Sequence, residues 1–561
     1  MEVWGKLSRL NERFKQSRRA QNLVIWAIAI SSGTALFFVS YPHGIKVGYD
    51  GIYYLSAASS ILDGNGYSLP FHHGGERDIV ANIPVIHWPP LYSISTAIVS
   101  RLLSIPANVA ALYLNILLFI FTVFLICLFA SEVNKRGIYT PIFCTFIFAC
   151  SYNTIEIYRN ALSEPLFIVL TFYGFLLLGR YLTEKNTLYL IVSGVSIGLG
   201  AVTRYVGLLS IPVCIFCMII YRKVSPKRYT FLFFIISIIP YGLWSLRNFF
   251  ILGVSTGRRV SFYPPSAGDI YDTLAVFCNI AFPSIGLNVG LLGKKIIIIV
   301  YTSIIAMVFI VNMTNKVFSS RINRLVNALY ANPYNLILLV YSVSYLTFSY
   351  IWKYVVENNT LTTRLFIPLI VVLFVATPHA VRKTISTATK GKFVEVMIIV
   401  VALLFTALSF GYTYDRYVYR TDWSMWRSFE GIHPESDLVS KIKEIPRAHV
   451  IYSNFAVLLS YETKRKIYQL PEIPIINHLN IPRIEKNYEA LVLNDSERRR
   501  MSIAWYSWKW GGRIAPDSIL TRYRLSPRIV ADDGVIYYPV DEDDDTVSVM
   551  DRTFPRKETT R

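Results

Sequence analysis

The chain has 561 residues, 53% hydrophobic and only 16% charged. A typical soluble protein carries about 25% charged residues. That shortfall, with the apolar residues gathered in long blocks, excludes a string of soluble domains and indicates one large membrane unit with an appendage. The formal net charge of +20 is not read as a nucleic-acid signal. Its Lys and Arg fall in short clusters between apolar blocks, where they set topology and meet anionic headgroups.

A basic start (Lys6, Arg9, Arg13, Lys15, Arg18, Arg19) precedes an apolar segment over residues 22–41. No small-residue cleavage site follows it, so it reads as a retained first helix with a cytoplasmic N-terminus. Further apolar blocks cover 106–131, 138–151, 165–182, 187–203, 205–221, 229–251, 293–312, 333–351, 365–380 and 393–412. The pattern predicts a polytopic α-helical protein of about eleven transmembrane helices. Basic clusters at Lys135/Arg136, Lys185, Arg222/Lys223/Lys227/Arg228, Arg321/Arg324 and Arg382/Lys383/Lys390/Lys392 fall on alternate connections, on the side of the N-terminus. The odd helix count places the C-terminus outside the cytoplasm.

Residues 1–412 are thus expected to form a transmembrane module, with a first outer loop over 42–105. Residues 413–561 are expected to form a small extracytoplasmic α/β domain. The cytoplasmic connections are too short for a nucleotide-binding domain, and no P-loop or dinucleotide fingerprint occurs. In the terminal domain, HVIYSN (449–454) and RKIYQL (465–470) read as strands flanking a short helix. Asp533-Gly534, between RIVA and VIYYPV, reads as a tight hairpin turn. The acidic run 541–545 reads as a solvated tail, since contiguous acids lack the spacing of a calcium loop. The six cysteines read as small apolar fillers, neither a disulfide framework nor a zinc site.

The informative feature is a set of charges that the topology gathers at the outer membrane face: Asp50, Glu156, Arg159, Glu164, Arg204, Arg247 and Arg364. Polar groups at membrane depth are costly and need a reason. Asp50 opens a helical stripe in YDGIYYLSAASSILDGNGYS, with apolar or aromatic residues at 52, 55, 58, 61 and 62 and a break at Asp63-Gly64-Asn65-Gly66. This predicts a helix lying in the interface. An acid at its start is either a cap, contributing roughly 0.5–2 kcal/mol, or a catalytic group. HWPPLYSISTAIVSRLL (87–103) predicts a second interfacial helix started by Pro89 and Pro90. His87 beside a Trp reads as a hydrogen-bonding residue before a metal ligand. Ser163 or Glu164 is placed to cap the helix that Pro165 opens. Arg204, Arg247 and Arg364 either snorkel to the interface or converge on an anion. The ligand spacing does not support a divalent metal site, although a divalent metal stays open as an alternative.

YDGIYYLSAASSILDGNGYS, HWPPLY, the Ser-Glu-Pro of 163–165, TRYVGLL and TRLFIP, in this order, resemble the membrane glycosyltransferases of the GT-C fold, nearest to the protein mannosyltransferase and lipid A aminoarabinose transferase branch. The resemblance covers roughly residues 20–370. It implies that Asp50 acts near the acceptor, that Glu164 is a second catalytic acid, and that Arg204 and Arg364, with Arg247, hold the phosphate of a lipid-linked donor. Glu156, Tyr54, His87 and Arg159 are accessory or acceptor-side candidates. Some relatives carry two adjacent acids in the first loop, whereas Gly51 follows Asp50 here. The implied partners are a polyprenyl-phosphate sugar donor and membrane lipids, with no nucleic acid; the implied reaction is inverting sugar transfer to a lipid, glycan or protein acceptor. The alternative from another class is a lipid or glycan transporter or flippase. No inverted repeat and a one-sided charge cluster argue against it.

Overall fold

A computed structural model describes residues 18–40, 44–72, 80–134, 151–256, 332–355, 437–446, 449–453, 501–506, 525–531 and 534–539, with isolated positions in 145–149, 366–372 and 459–469. The apolar blocks at 293–312 and 393–412, the acidic run at 541–545 and Arg364 lie outside them. Two compact units result: residues 1–67 with 84–423, and residues 68–83 with 424–561.

In the first unit the described apolar blocks are helical. Among the described residues, four helices are long and apolar enough to cross a membrane: Ala107–Val133, Glu164–Glu184, Lys227–Leu252 and Pro333–Trp352. The chain order is α1 (Arg18–Ser40), α2 (Tyr49–Leu62), α3 (Leu91–Leu103), α4 (Ala107–Asn134), α5 (Tyr152–Tyr158), α6 (Glu164–Glu184), α7 (Thr187–Ala201), a 3-10 turn (Tyr205–Leu209), α8 (Ser210–Ile220), α9 (Lys227–Leu252) and α10 (Pro333–Val355). Helix α1 packs on α4, where Trp26 stacks on Phe124 with centroids 4.2 Å apart. Helices α6, α7 and α9 form a packed row. Gly194 and Gly198 on α7 meet α9 so closely that a Cβ at position 198 would lie 2.6 Å from the Ser237 carbonyl oxygen. Small residues spaced by four bring backbones together in this way where lipid supplies no hydrophobic drive between helices. The opposite character shows on α9, where Leu243, Leu246, Phe249 and Phe250 are exposed, as a lipid-facing stripe requires.

Helices α2 and α3 are short and pack on each other and on α4. They form helices at the two segments where the sequence predicts them. The break after α2 contains Gly64 and Gly66, both at positive φ. Cys214 and Cys217, one helical turn apart on α8, are fully buried free thiols, in keeping with the filler reading.

The second unit holds a two-stranded sheet of β1 (Ser68–His72) and β2 (Val80–Pro84), and a five-stranded sheet. The latter is built from β3 (Val450–Ser453), β4 (Ile467–Gln469), β5 (Met501–Tyr506), β6 (Leu525–Ala531) and β7 (Gly534–Pro539), in the order β4-β3-β5-β7-β6. Strand β3 pairs in parallel with β4 and β5, and β7 pairs antiparallel with β5 and β6. Ala531 pairs with Gly534, so the hairpin closes across the two residues between them. Helix α11 (Asp437–Glu444) buries Leu438, Val439 and Ile442. Its end is held by Arg465, whose guanidinium donates to the carbonyls of Ile442, Ile445 and Pro446, satisfying carbonyls that a helix terminus leaves without partners.

Candidate active site

The site starts from a backbone pairing. The segment at Lys46 runs parallel to Asn160: the Lys46 amide donates to the Arg159 carbonyl at 2.8 Å, and the Ala161 amide to the Lys46 carbonyl at 2.9 Å. This docks the start of α2, carrying Asp50, onto the start of α6, carrying Glu164. The approach is tight at Gly51, where a Cβ would lie 3.0 Å from the Ala161 carbonyl oxygen and 3.2 Å from its Cβ. A second acid at position 51, beside Asp50, would press against this backbone.

Neither acid acts as a helix cap. Gly48 is the N-cap of α2, without a side-chain bond, and Asp50 stands in the first turn. Ser163 is the N-cap of α6, and its hydroxyl makes no capping bond. Both polar groups point to tertiary partners instead. Asp50 Oδ1 accepts from the Trp88 indole Nε1 at 3.2 Å. Tyr54, one turn after Asp50, shares a hydrogen bond with the Ser163 hydroxyl at 2.9 Å. That hydroxyl accepts from Arg204 Nη1 at 3.2 Å, and the same Nη1 stands 2.7 Å from Glu164 Oε2. Arg204 occupies the extended break between α7 and the 3-10 turn. Glu164 is buried and Arg204 is partly exposed. Tyr345 of α10 lies within electrostatic reach of both. Burial and the Asp50 charge push the Tyr54 phenol above its ordinary range, so it stays a neutral hydrogen-bonding group.

The remaining candidates divide. Glu156 pairs with Lys46 at 2.6 Å and accepts from Asn160 Nδ2 at 3.2 Å. Arg159 is buried in the same segment. His87 packs edge-on against Trp88, with centroids 4.5 Å apart. Arg247 is engaged with backbone: Nη1 donates to the Val85 carbonyl at 3.0 Å and Nη2 to the Tyr67 carbonyl at 3.1 Å, with the guanidinium 5.0 Å over the Trp244 ring. It clamps both ends of the excursion between Tyr67 and Val85. Tyr205 adds a third tie, donating to the Ile86 carbonyl at 2.6 Å. Among the described residues no cluster of His, Cys, Asp and Glu has the makings of a metal site.

Sequence reasoning gave no role to Trp88, Lys46 or Tyr205, and offered Ser163 only as a helix cap. Trp88 stood inside a quoted motif and Ser163 beside Glu164, but no periodicity signals a partner 38 or 109 residues away.

No protein-family model matches the chain, and no curated protein sequence matches it. Solved structures do. ArnT from Cupriavidus metallidurans bound to undecaprenyl phosphate matches with a TM-score of 0.55 and 9% identity, over 94% of this chain and 99% of that one. The Archaeoglobus fulgidus oligosaccharyltransferase AglB, in complex with an inhibitory peptide and a dolichol-phosphate, matches with a TM-score of 0.51 and 10% identity, over 88% and 70% of the two chains. The Archaeoglobus enzyme in complex with Zn and sulfate matches with a TM-score of 0.50 and 12% identity, over 85% and 68%. These likenesses establish the fold: the chain is a membrane protein with the GT-C fold. Within that fold it is similar to ArnT along nearly the full length of both chains.

Proposed function

We propose that this protein is an integral membrane glycosyltransferase, moving a sugar from a polyprenyl-phosphate-linked donor to an acceptor at the extracytoplasmic face. The observation that carries the reading is the junction of α2, α6 and the break after α7. It brings a carboxylate, Asp50, within electrostatic reach of Tyr54, whose hydroxyl shares the Ser163 hydroxyl with the guanidinium of Arg204. Similar folds hold undecaprenyl phosphate and dolichol-phosphate. A lipid-linked donor suits a site on short interfacial helices, since its phosphate sits at headgroup depth and its tail in hydrocarbon.

In this mechanism Asp50 takes the proton of the acceptor hydroxyl. The acceptor oxygen attacks the anomeric carbon. The bond from that carbon to the phosphate oxygen breaks, and polyprenyl phosphate departs. Direct attack inverts the anomeric centre. Help from a general base contributes about 10²–10⁴-fold. The leaving group turns from a phosphodiester into a monoester and gains negative charge as the bond breaks. Arg204 meets that charge where it develops, with the planar donor fork suited to phosphate oxygens. Glu164, ion-paired to Arg204, orients that fork and takes no part as an acid. Arg364 is retained as a second phosphate-binding residue on its sequence context, and Arg247 is assigned to holding the first outer loop. The C-terminal unit is assigned to the acceptor side, outside the cytoplasm.

The test is purified protein in lipid with a panel of labelled polyprenyl-phosphate sugars. Release of polyprenyl phosphate by wild type, lost in Asp50→Asn, is the expected result. Movement of intact donor across vesicles without its cleavage would replace transfer by transport.

A further inference from the structure

Trp88 stands at the centre of a contact that the transfer reading leaves unexplained. It is 7% exposed, although Trp at an interface ordinarily keeps its polar edge in water. Its ring stacks on Tyr53, with centroids 4.2 Å apart and planes 20° from parallel, and His87 packs against its edge. Its own carbonyl accepts from the Tyr67 hydroxyl at 2.9 Å. Pro89 and Pro90 follow and stiffen the backbone. The indole is therefore held by its plane, its edge and its main chain, and the N–H so fixed is aimed at Asp50 Oδ1 at 3.2 Å. Tyr53 and Asp50 belong to the same helix, so the ring that grips the indole and the carboxylate that receives it move as one body.

We infer that Trp88 is a positioning residue for Asp50: its indole N–H fixes the plane of the Asp50 carboxylate that accepts the proton. An indole nitrogen donates and never accepts, and it carries no charge. It therefore anchors one carboxylate oxygen without neutralising the group, as a Lys or Arg in its place would. With Oδ1 anchored, the direction of the second oxygen is set by the geometry of the carboxylate. Catalysis by proximity depends on such placement, and about 1 Å of misplacement costs on the order of 10²-fold. The inference rests on the transfer reading for its chemical purpose, but the anchoring itself is measurable without turnover.

The experiment is isotope-edited infrared spectroscopy of the full chain in lipid nanodiscs, with labelled aspartate. The Asp50 carboxylate band is identified as the one absent from D50N. It is compared between wild type and W88F, which keeps the aromatic stack and removes the donor, alongside kcat and donor KM. The expected result is a moved band and a kcat lowered about 10- to 100-fold with donor KM within about twofold. In the D50N background W88F should lower kcat no further, because both changes then strike one function. An unmoved band overturns the inference whatever the activity does, and so does a moved band with unchanged kcat. A moved band in a protein that transfers no sugar leaves the anchoring in place and removes the transferase reading instead. Should W88F fail to fold, Tyr53→Leu loosens the grip on the indole while leaving its N–H. It is expected to move the same band in the same direction by less, and an unmoved band there overturns the inference equally.

Discussion

The Glu164 carboxylate and the Arg204 guanidinium meet at 2.7 Å, the first with 2% of its side chain exposed and the second with 17%. The pair joins the start of α6 to the break after α7, two elements that the chain separates by a whole helical hairpin. Its asymmetry of burial makes the two partners unequal under mutation. Removing Arg204 leaves a buried carboxylate uncompensated, whereas removing Glu164 leaves a longer cation that reaches the interface by extending.

Arg204→Gln is therefore expected to destabilise the protein by several kcal/mol, in the range of about 3–5 for a broken buried pair. Glu164→Gln is expected to cost less. Thermal unfolding of both variants in the same detergent checks the order, and a larger loss for Glu164→Gln contradicts the assigned burial asymmetry. Glu164→Gln should also raise donor KM, since an unheld guanidinium presents its fork less well.

Asp50→Asn keeps the size of the side chain and an oxygen able to accept from Trp88. Folding and donor binding are expected to survive, while transfer falls by about 10²–10⁴-fold. Binding of labelled donor together with single-turnover release of polyprenyl phosphate separates the two effects. Turnover at the wild-type rate would remove Asp50 as the base.

Gly51→Ala puts a Cβ 3.0 Å from the Ala161 carbonyl oxygen, tighter than an ordinary contact, against backbone that yields only by moving α2. A cost of about 1–3 kcal/mol, typical of overpacking, is expected, with reduced kcat because Asp50 rides on the displaced helix. Gly51→Glu should be worse than Gly51→Ala, even though it restores the paired acids of some relatives. Higher activity in Gly51→Glu would show that this backbone gives way at little cost.

Arg247→Lys keeps the charge and loses the fork that reaches the Tyr67 and Val85 carbonyls together. If the clamp is its role, proteolysis and hydrogen exchange should speed up within 68–84, while donor KM changes by less than about twofold. A large rise in donor KM with an unchanged loop would return Arg247 to the phosphate.

Burial holds the Tyr54 phenol above its ordinary range. Because the folded state keeps this proton beyond the pH at which the unfolded chain releases it, the stability it contributes is complete below about pH 10 and is lost as pH rises further. Tyr54→Phe should lower activity through the Ser163 contact, yet leave the pH–rate profile unchanged between about pH 6 and 9. Loss in Tyr54→Phe of a limb that wild type shows in that window would mean that Tyr54 titrates during catalysis.

Much of the fold was legible because it is written locally. The stripe from 52 to 62 and the glycines after it located α2 almost to the residue, observed at Tyr49–Leu62. The Pro89-Pro90 pair located the start of α3 at Leu91. The apolar block at 106–131 and those from 165 to 251 match α4 and α6 to α9 within a few residues at most ends, although the block at 205–221 divides into a 3-10 turn and α8 and the block at 138–151 lies mostly outside the described residues. The alternation and the turn signal at 533–534 located the β6–β7 hairpin. The capping readings of Asp50 and Glu164 were also local, and they failed because a tertiary partner outcompeted the backbone for each side chain.

The sequence by itself determined that this chain carries helices apolar enough to cross a membrane. Hydropathy depends only on residue identity and order along the chain. It also determined that Asp50, Glu164 and Arg204 needed partners, since a charge at membrane depth is too costly to leave alone. Which partner each received was decided only by the tertiary structure. Trp88 reaches Asp50 across 38 residues, Arg204 reaches Ser163 across 41, and Arg247 reaches the Val85 carbonyl across 162. Such contacts follow from how helices stack through small residues such as Gly198 and Gly51, and a distance set by packing has no period along the chain to announce it.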